Sequence, residues 1–216
     1  MTKYIFILIA YLVGSIPFSY LLGKYIKKDD IRKKGSGNLG TTNAFRVFGA
    51  VIGVAVLVLD TLKSGLFVLI IRHTDWIQAE MFPSLIYGAV AVVGHVFPIW
   101  MKFKGGKGVA SSFGLLIFYY WPIPIALLPV FIGTLLISKY ASLASTLVAI
   151  SIFITGLVLY TFGVIPNTIN LLYVVVTGLL MLLILFKHRT NYARIYHGTE
   201  NKIEFKKKKV KKDGLD

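Results

Sequence analysis

The chain has no cysteine among its 216 residues, which excludes disulfides, thiolate nucleophiles and cysteine-ligated metals. Charge is sparse: Asp, Glu, Lys and Arg together make 15% of the residues, against about 25% in a soluble domain. Acid is the scarcer sign, with nine carboxylates to 24 Lys and Arg. No carboxylate cluster in the basic loops has the form of a magnesium site. The four histidines lack the third ligand and the spacing of a zinc site. Alternating segments of about ten residues, the mark of a membrane barrel, do not occur. No Ala-x-Ala site follows the first apolar stretch, which therefore reads as a retained helix rather than a cleaved signal.

What is present is mostly apolar: 56% of residues are hydrophobic and the mean hydropathy is +0.74. Apolar runs near 20 residues match a hydrocarbon layer about 30 Å thick, and in lipid such runs must close their own backbone hydrogen bonds as helices. The pattern predicts spans near 4–22, 47–71, 84–100, 109–123, 124–138, 142–162 and 167–186. The fourth and fifth meet at Trp121-Pro122-Ile123-Pro124 and read either as two spans or as one broken helix, which would leave six. Charge decides between these. The 23–46 loop carries Lys24, Lys27, Lys28, Arg32, Lys33, Lys34 and Arg46, and the 101–108 loop carries Lys102, Lys104 and Lys107. The other face has Lys3 and Arg72 beside Asp75 and Glu80. The positive-inside rule then favours an all-α integral membrane protein of seven transmembrane helices, N-terminus outside and C-terminus cytoplasmic. Residues 1–204 form the membrane domain, and 205–216 a lysine-rich cytoplasmic tail suited to anionic lipid headgroups. Such a tail also suits nucleic acid, but no nucleic-acid module accompanies it.

Three loops on the basic side carry the candidate chemistry. In GSGNLGTTNAFR, at 35–46, glycines permit left-handed turns that aim successive N–H groups at one point. Ser36, Asn38, Thr41, Thr42 and Asn43 add short polar groups, and Arg46 offers a fork for phosphate oxygens just before the second span. Lys104-Gly105-Gly106-Lys107-Gly108 lacks the spacing and the preceding strand of a nucleotide-binding loop, yet suits a cationic nest. His188 and Asn191 fall on one face if the last helix continues, with Arg189, Arg194 and Glu200 just beyond, and His95 precedes Phe97-Pro98. Within the second span, Asp60 and Lys63 are i,i+3 neighbours. They read either as an internal lock or as a support for the site, since charge in hydrocarbon faces a bundle interior or polar cavity. A membrane enzyme acting on an anion, an anion transporter and a lipid-binding scaffold all fit these features. No internal repeat of the kind that marks transporter halves is present.

Longer strings narrow the choice. GSGNLGTTNAFR at 35–46, GHVFPIWMKFKGGKGVA at 94–110 and HRTNYARIYHGTE at 188–200 occur in order, with GSIPFSYLLGK at 14–24, DTLKSG at 60–65 and SLAS at 142–145. Over roughly residues 4–200 the chain resembles the bacterial glycerol-3-phosphate acyltransferases that use acyl phosphate, the PlsY family. The resemblance implies acyl transfer from acyl phosphate to the 1-hydroxyl of sn-glycerol 3-phosphate. The products are 1-acyl-sn-glycerol 3-phosphate (lysophosphatidic acid) and inorganic phosphate, in the first acylation of bacterial phospholipid synthesis. It implies Ser36, Arg46, Lys107, His188 and Asn191 as catalytic residues. Gly37, Asn38, Thr42, Asn43, Lys104, Gly105 and Gly106 would shape substrate binding. No cofactor, metal or nucleic acid is implied; the partners are the two substrates and membrane lipid, at a cytoplasmic membrane with the site facing the cytoplasm. Two departures stand out: Ser64 separates Lys63 from Gly65 where the family commonly has Lys-Gly directly, and the run from Phe205 to Asp216 lies beyond the match.

Overall fold

A computed structural model describes residues 1–73 and 81–203. Asp75, Glu80 and the lysine-rich tail at 205–216 lie outside the described residues. All regular structure among the described residues is helical: α1 Thr2–Gly14, α2 Phe18–Ile26, α3 Thr41–Phe48, α4 Ala50–Arg72, α5 Ser84–Val96, α6 Val109–Tyr120, α7 Pro122–Ala126, α8 Leu128–Ser138, α9 Ala141–Thr161 and α10 Leu171–Tyr196. Single 3-10 turns occur at Ile31–Lys33 and Ile99–Met101.

Four helical segments are long and apolar enough to cross a membrane: Ala50–Arg72, Ser84–Met101, Ala141–Thr161 and Leu171–Tyr196. The first predicted span is two helices, α1 and α2, bent by 44°. Pro17 lacks the N–H that would carry the helix through. The stretches at 109–120 and 122–138 are helical and apolar but shorter than the four. Two boundaries differ from the sequence pattern. The second span does not begin at 47. Arg46 instead sits in the last turn of α3, and Gly49, at φ 83, turns the chain into α4. The last helix starts later and runs further than 167–186. Asn170 caps it by accepting from the Tyr173 N–H at 3.1 Å, and no Gly or Pro interrupts 187–196 before Gly198 turns left-handed at φ 69.

Helix packing relies on small residues, as in other membrane bundles. A Cβ at Gly114 of α6 would lie 2.0 Å from Thr61 O of α4. Beside it, Ser64 donates its hydroxyl to Ser111 O at 2.6 Å, so the serine that departs from the family string ties α4 to α6. α1 packs on α5 in the same manner, and α9 on α10. Large apolar side chains also cover the outside, among them Val51, Ile137 and Leu179 at 82%, 87% and 62% exposure. A bundle with so apolar an exterior has lipid, not water, as its solvent. Its interior, by contrast, holds Asp60, Lys63 and His95.

Candidate active site

The loop before α3 is built around one side chain. Asn43 is buried, accepts from the Ser36 N–H at 2.9 Å and donates to Lys34 O at 3.2 Å and Asn38 O at 3.1 Å. Its amide is therefore committed to folding residues 34–38 into a cup rather than free to hold a substrate. Gly35 and Gly37 take left-handed φ of 58 and 70 there. Arg46 makes no hydrogen bond or ion pair among the described residues. Its guanidinium is drawn below its ordinary range by burial, opposed by Glu200 and reinforced by Arg194.

The 104–108 loop lies on His95. The Gly106 N–H donates to His95 O at 3.1 Å, and a Cβ on Gly106 would stand 2.0 Å from His95 Nε2. Glycine is required at 106 for this close approach. His95 in turn belongs to a buried cluster. Asp60 Oδ1 lies 2.8 Å from Lys63 Nζ and 3.4 Å from His95 Nδ1. Lys63 also donates to Ile16 O at 3.1 Å, a carbonyl freed by the break between α1 and α2. The Asp60–Lys63 pair thus locks three helical segments together and also underlies the glycine loop.

α10 supplies the third wall. Because it stays helical, His188 and Asn191 share a face, and both are buried. His188 Nδ1 meets Ile184 O at 2.8 Å. A carbonyl only accepts, so Nδ1 carries the proton and, in the neutral ring, Nε2 is the acceptor. Asn191 accepts from Lys107 Nζ through Oδ1 and donates to Glu200 Oε1 at 2.7 Å. Glu200 pairs with Arg194 at 2.7 Å. This chain of contacts fastens the glycine loop to the end of α10. Burial brings the Lys107 ammonium down to about 8, against the pull of Glu200 and with the push of Arg194, Lys187 and Arg46.

These three walls enclose a cavity of about 300 Å³. Ser36, Asn38, Thr42, Asn43, Arg46, Lys107, His188 and Asn191 line its polar end. Leu116, Phe131, Val148, Ile152, Leu180 and Ile184 line the rest. A second depression, lined by Gly37, Lys104 and Gly105 with Arg32, Lys187, Arg189 and Arg194, shares Ser36, Asn38 and Lys107 with the first. Gly106 lines neither. All other expected site residues border one depression or both. Four further polar side chains outside the expected site set also reach the cavity. Thr41 Oγ1, Asp60 Oδ2, Ser112 Oγ and Ser142 Oγ are buried there without a hydrogen-bond partner. Buried polar atoms are normally paired, so four orphans bordering one cavity mark a place for a polar ligand. Thr41 has a signal as a short polar residue of the 35–46 loop, Asp60 as the partner of Lys63 and Ser142 in the SLAS string, but Ser112 has none.

Cations and hydroxyls at one end and hydrocarbon at the other, in a bundle with an apolar exterior, are the features of an integral membrane protein with an amphipathic pocket. The family model described as glycerol-3-phosphate acyltransferase matches residues 4–198. The chain is 42% identical to the glycerol-3-phosphate acyltransferase of Bacillus subtilis, covering 92% of this chain and 96% of that protein. It is 39% identical to that of Bartonella henselae, covering 94% and 92%. A crystal structure of PlsY, an integral membrane glycerol 3-phosphate acyltransferase in its glycerol 3-phosphate form, superposes with a TM-score of 0.81 at 30% identity, covering 94% of this chain and 96% of that one. Its lysophosphatidic acid form superposes at 0.79. The chain belongs to the glycerol-3-phosphate acyltransferase family, membrane enzymes of phospholipid synthesis.

Proposed function

We propose that this protein transfers an acyl group from acyl phosphate to the 1-hydroxyl of sn-glycerol 3-phosphate, releasing lysophosphatidic acid and inorganic phosphate. One observation carries the reading: Lys107 stands at the junction of a cationic depression and a cavity that ends in hydrocarbon. Two phosphate-bearing substrates, one water-soluble and one with a fatty tail, fit such a pair of compartments. Arg46, Lys107 and Lys104 hold the phosphates as cations. The unpaired hydroxyls of Thr41, Ser112 and Ser142, with Ser36 and Asn38, supply donors to phosphate and to the oxyanion that forms on the acyl carbonyl.

Chemistry follows by direct attack. The glycerol oxygen bonds to the acyl carbon, the carbon–oxygen bond to phosphate breaks, and phosphate leaves with its electron pair. No acyl-enzyme is needed, because the donor is already activated and holding both substrates in one cavity supplies the orientation. The hydroxyl proton passes to a phosphate oxygen of the substrates. His188 Nε2 accepts from the 2-hydroxyl of glycerol 3-phosphate and so orients the 1-hydroxyl; behind His188 stands the Ile184 carbonyl rather than a carboxylate that would stabilise an imidazolium. Asn191, occupied on both sides, holds Lys107 in place.

The seven-span, N-outside arrangement belongs to the same proposal. Gly108, next to Lys107, and Ala141, next to Ser142, border the cavity whose polar end carries Lys107 and Asn191. Ile203 N–H donates to Lys139 O at 2.9 Å, which keeps the C-terminal segment at that end too. The lysines of the 23–46 and 101–108 loops support a site facing the cytoplasm, and with it two short crossings at 109–120 and 122–138 in a bacterial cytoplasmic membrane.

The test is one assay. Purified protein in nanodiscs, given acyl phosphate and glycerol 3-phosphate, should release phosphate and form lysophosphatidic acid in equal amounts. Lysophosphatidic acid formed from an acyl thioester but not from acyl phosphate would overturn the donor. Rapid-quench trapping of a competent acylated protein would overturn direct transfer.

A further inference from the structure

The apolar part of the cavity has a definite end. On α9 the lining face runs through Ser145, Val148 and Ile152, and on α10 through Ile184, Leu180 and Thr177. The next positions on those two faces are Gly156 and Tyr173, and neither borders the cavity. Tyr173 is fully buried. Its ring presses on Gly156, where a Cβ would lie 2.6 Å from Cε1. The ring stacks on Tyr119 of α6 at a centroid separation of 5.9 Å and an interplanar angle of 26°. Tyr119 is itself held: its hydroxyl donates to Thr168 O at 3.1 Å, and the Arg72 guanidinium lies 5.4 Å from its ring.

We propose that the stacked Tyr119–Tyr173 pair is the floor that sets the longest acyl chain this enzyme accepts. The proposal rests on the acyltransferase reading of the cavity. A length limit needs two fixed ends. The head end is fixed where Lys107 and the unpaired hydroxyls meet the phosphate. The far end is fixed because the tyrosines are wedged between α6, α9 and α10 in the main core cluster. Between Asn191 and Thr177 the helix rises about 21 Å at 1.5 Å per residue, a depth suited to a long fatty chain. A chain reaching past Ile152 and Thr177 meets the tyrosine rings, and a much shorter one leaves lining atoms without contacts. Close packing makes such a floor stiff.

The experiment offers an equimolar mixture of saturated acyl phosphates of graded even chain length, with glycerol 3-phosphate, to the enzyme in nanodiscs. It reads the ratio of lysophosphatidic acid products. That ratio reports relative kcat/KM and does not depend on how much of a preparation is folded. One methylene in an apolar pocket alters discrimination by about 10–200-fold. Tyr173→Ala should move the ratio at least roughly tenfold toward longer chains, and Ile152→Phe by a similar factor toward shorter ones. Should Tyr173→Ala fail to insert, Ile152→Ala replaces it with the same expected direction. Ratios unchanged within twofold in both variants, or moved the same way by both, would overturn the floor. If the wild type uses no acyl phosphate at all, the donor assignment fails instead, and the same mixture as acyl thioesters then decides on the floor.

Discussion

At Lys107 burial and charge pull in opposite directions, and the balance is open to measurement. The ammonium is charged below about 8 and neutral above it, so its grip on a phosphate dianion weakens as pH rises through that value. A bound phosphate stabilises the charged form, so the loss should appear in kcat/KM for glycerol 3-phosphate above about pH 8 and much less in kcat. Lys107→Arg, if it retains turnover, should flatten that alkaline limb, because guanidinium stays charged. A pH-independent kcat/KM in the wild type between 7 and 9.5 would show that Lys107 keeps its charge over that range. Truncating a buried charge at a binding site costs about 2–5 kcal/mol, or roughly 30-fold to a few thousand-fold. Steady-state kinetics of Lys107→Ala should fall within that range. Arg46→Ala should sit near its lower end, since Arg46 is partly open to water. Near-wild-type constants for both substrates in both variants would overturn their assignment.

Between elements, the decisive contact is that of the glycine loop with the buried charge cluster. Asp60, Lys63 and His95 lie on α4 and α5, and Gly106 rests on the His95 ring. Removing one partner of a buried pair leaves the other uncompensated, at a cost of about 3–5 kcal/mol. Asp60→Ala should therefore lower the thermal midpoint of the detergent-solubilised protein sharply, and Asp60→Leu combined with Lys63→Met should recover much of the loss. A single variant as stable as wild type would show that the pair is not holding the helices. Gly106→Ala places a methyl against the His95 ring and should reduce kcat/KM. Pairing it with His95→Ala should cost less than the sum of the two changes, the mark of a direct contact.

Over the whole molecule, lipid and charge decide placement. The lysines at 206–209, 211 and 212 should each contribute about 1 kcal/mol at an anionic surface, less as salt rises. Deleting residues 205–216 should weaken binding of the solubilised protein to acidic liposomes while leaving turnover largely intact. A collapse of turnover in a membrane-inserted deletion would place the tail in the working site. The donor brings its own leaving group, so turnover should also survive chelation of divalent cations. Strong loss restored by one divalent ion would refute this.

Sequence alone determined the membrane class, the helical architecture and the three loops whose residues border the two depressions. Those properties live in local composition: apolar runs long enough for lipid, glycines and short polar residues next to Arg46, and lysines around Gly105-Gly106. It also paired Asp60 with Lys63, because i,i+3 spacing is a local geometry. Tertiary structure alone decided how these pieces are used. Asn43 looked like a phosphate donor, but its amide is consumed by residues 34–38 brought back over it. The sequence places Glu200 only just beyond His188 and Asn191, whereas the fold makes it the anchor of Asn191 and Arg194. Thr41, Ser112 and Ser142 matter because α3, α6 and α9 converge on one cavity and leave their hydroxyls unpaired. The tyrosine floor likewise exists only where α6 and α10 meet. Contacts between residues distant in the chain depend on how helices pack, and packing is set by the shapes of whole surfaces rather than by any short run of residues.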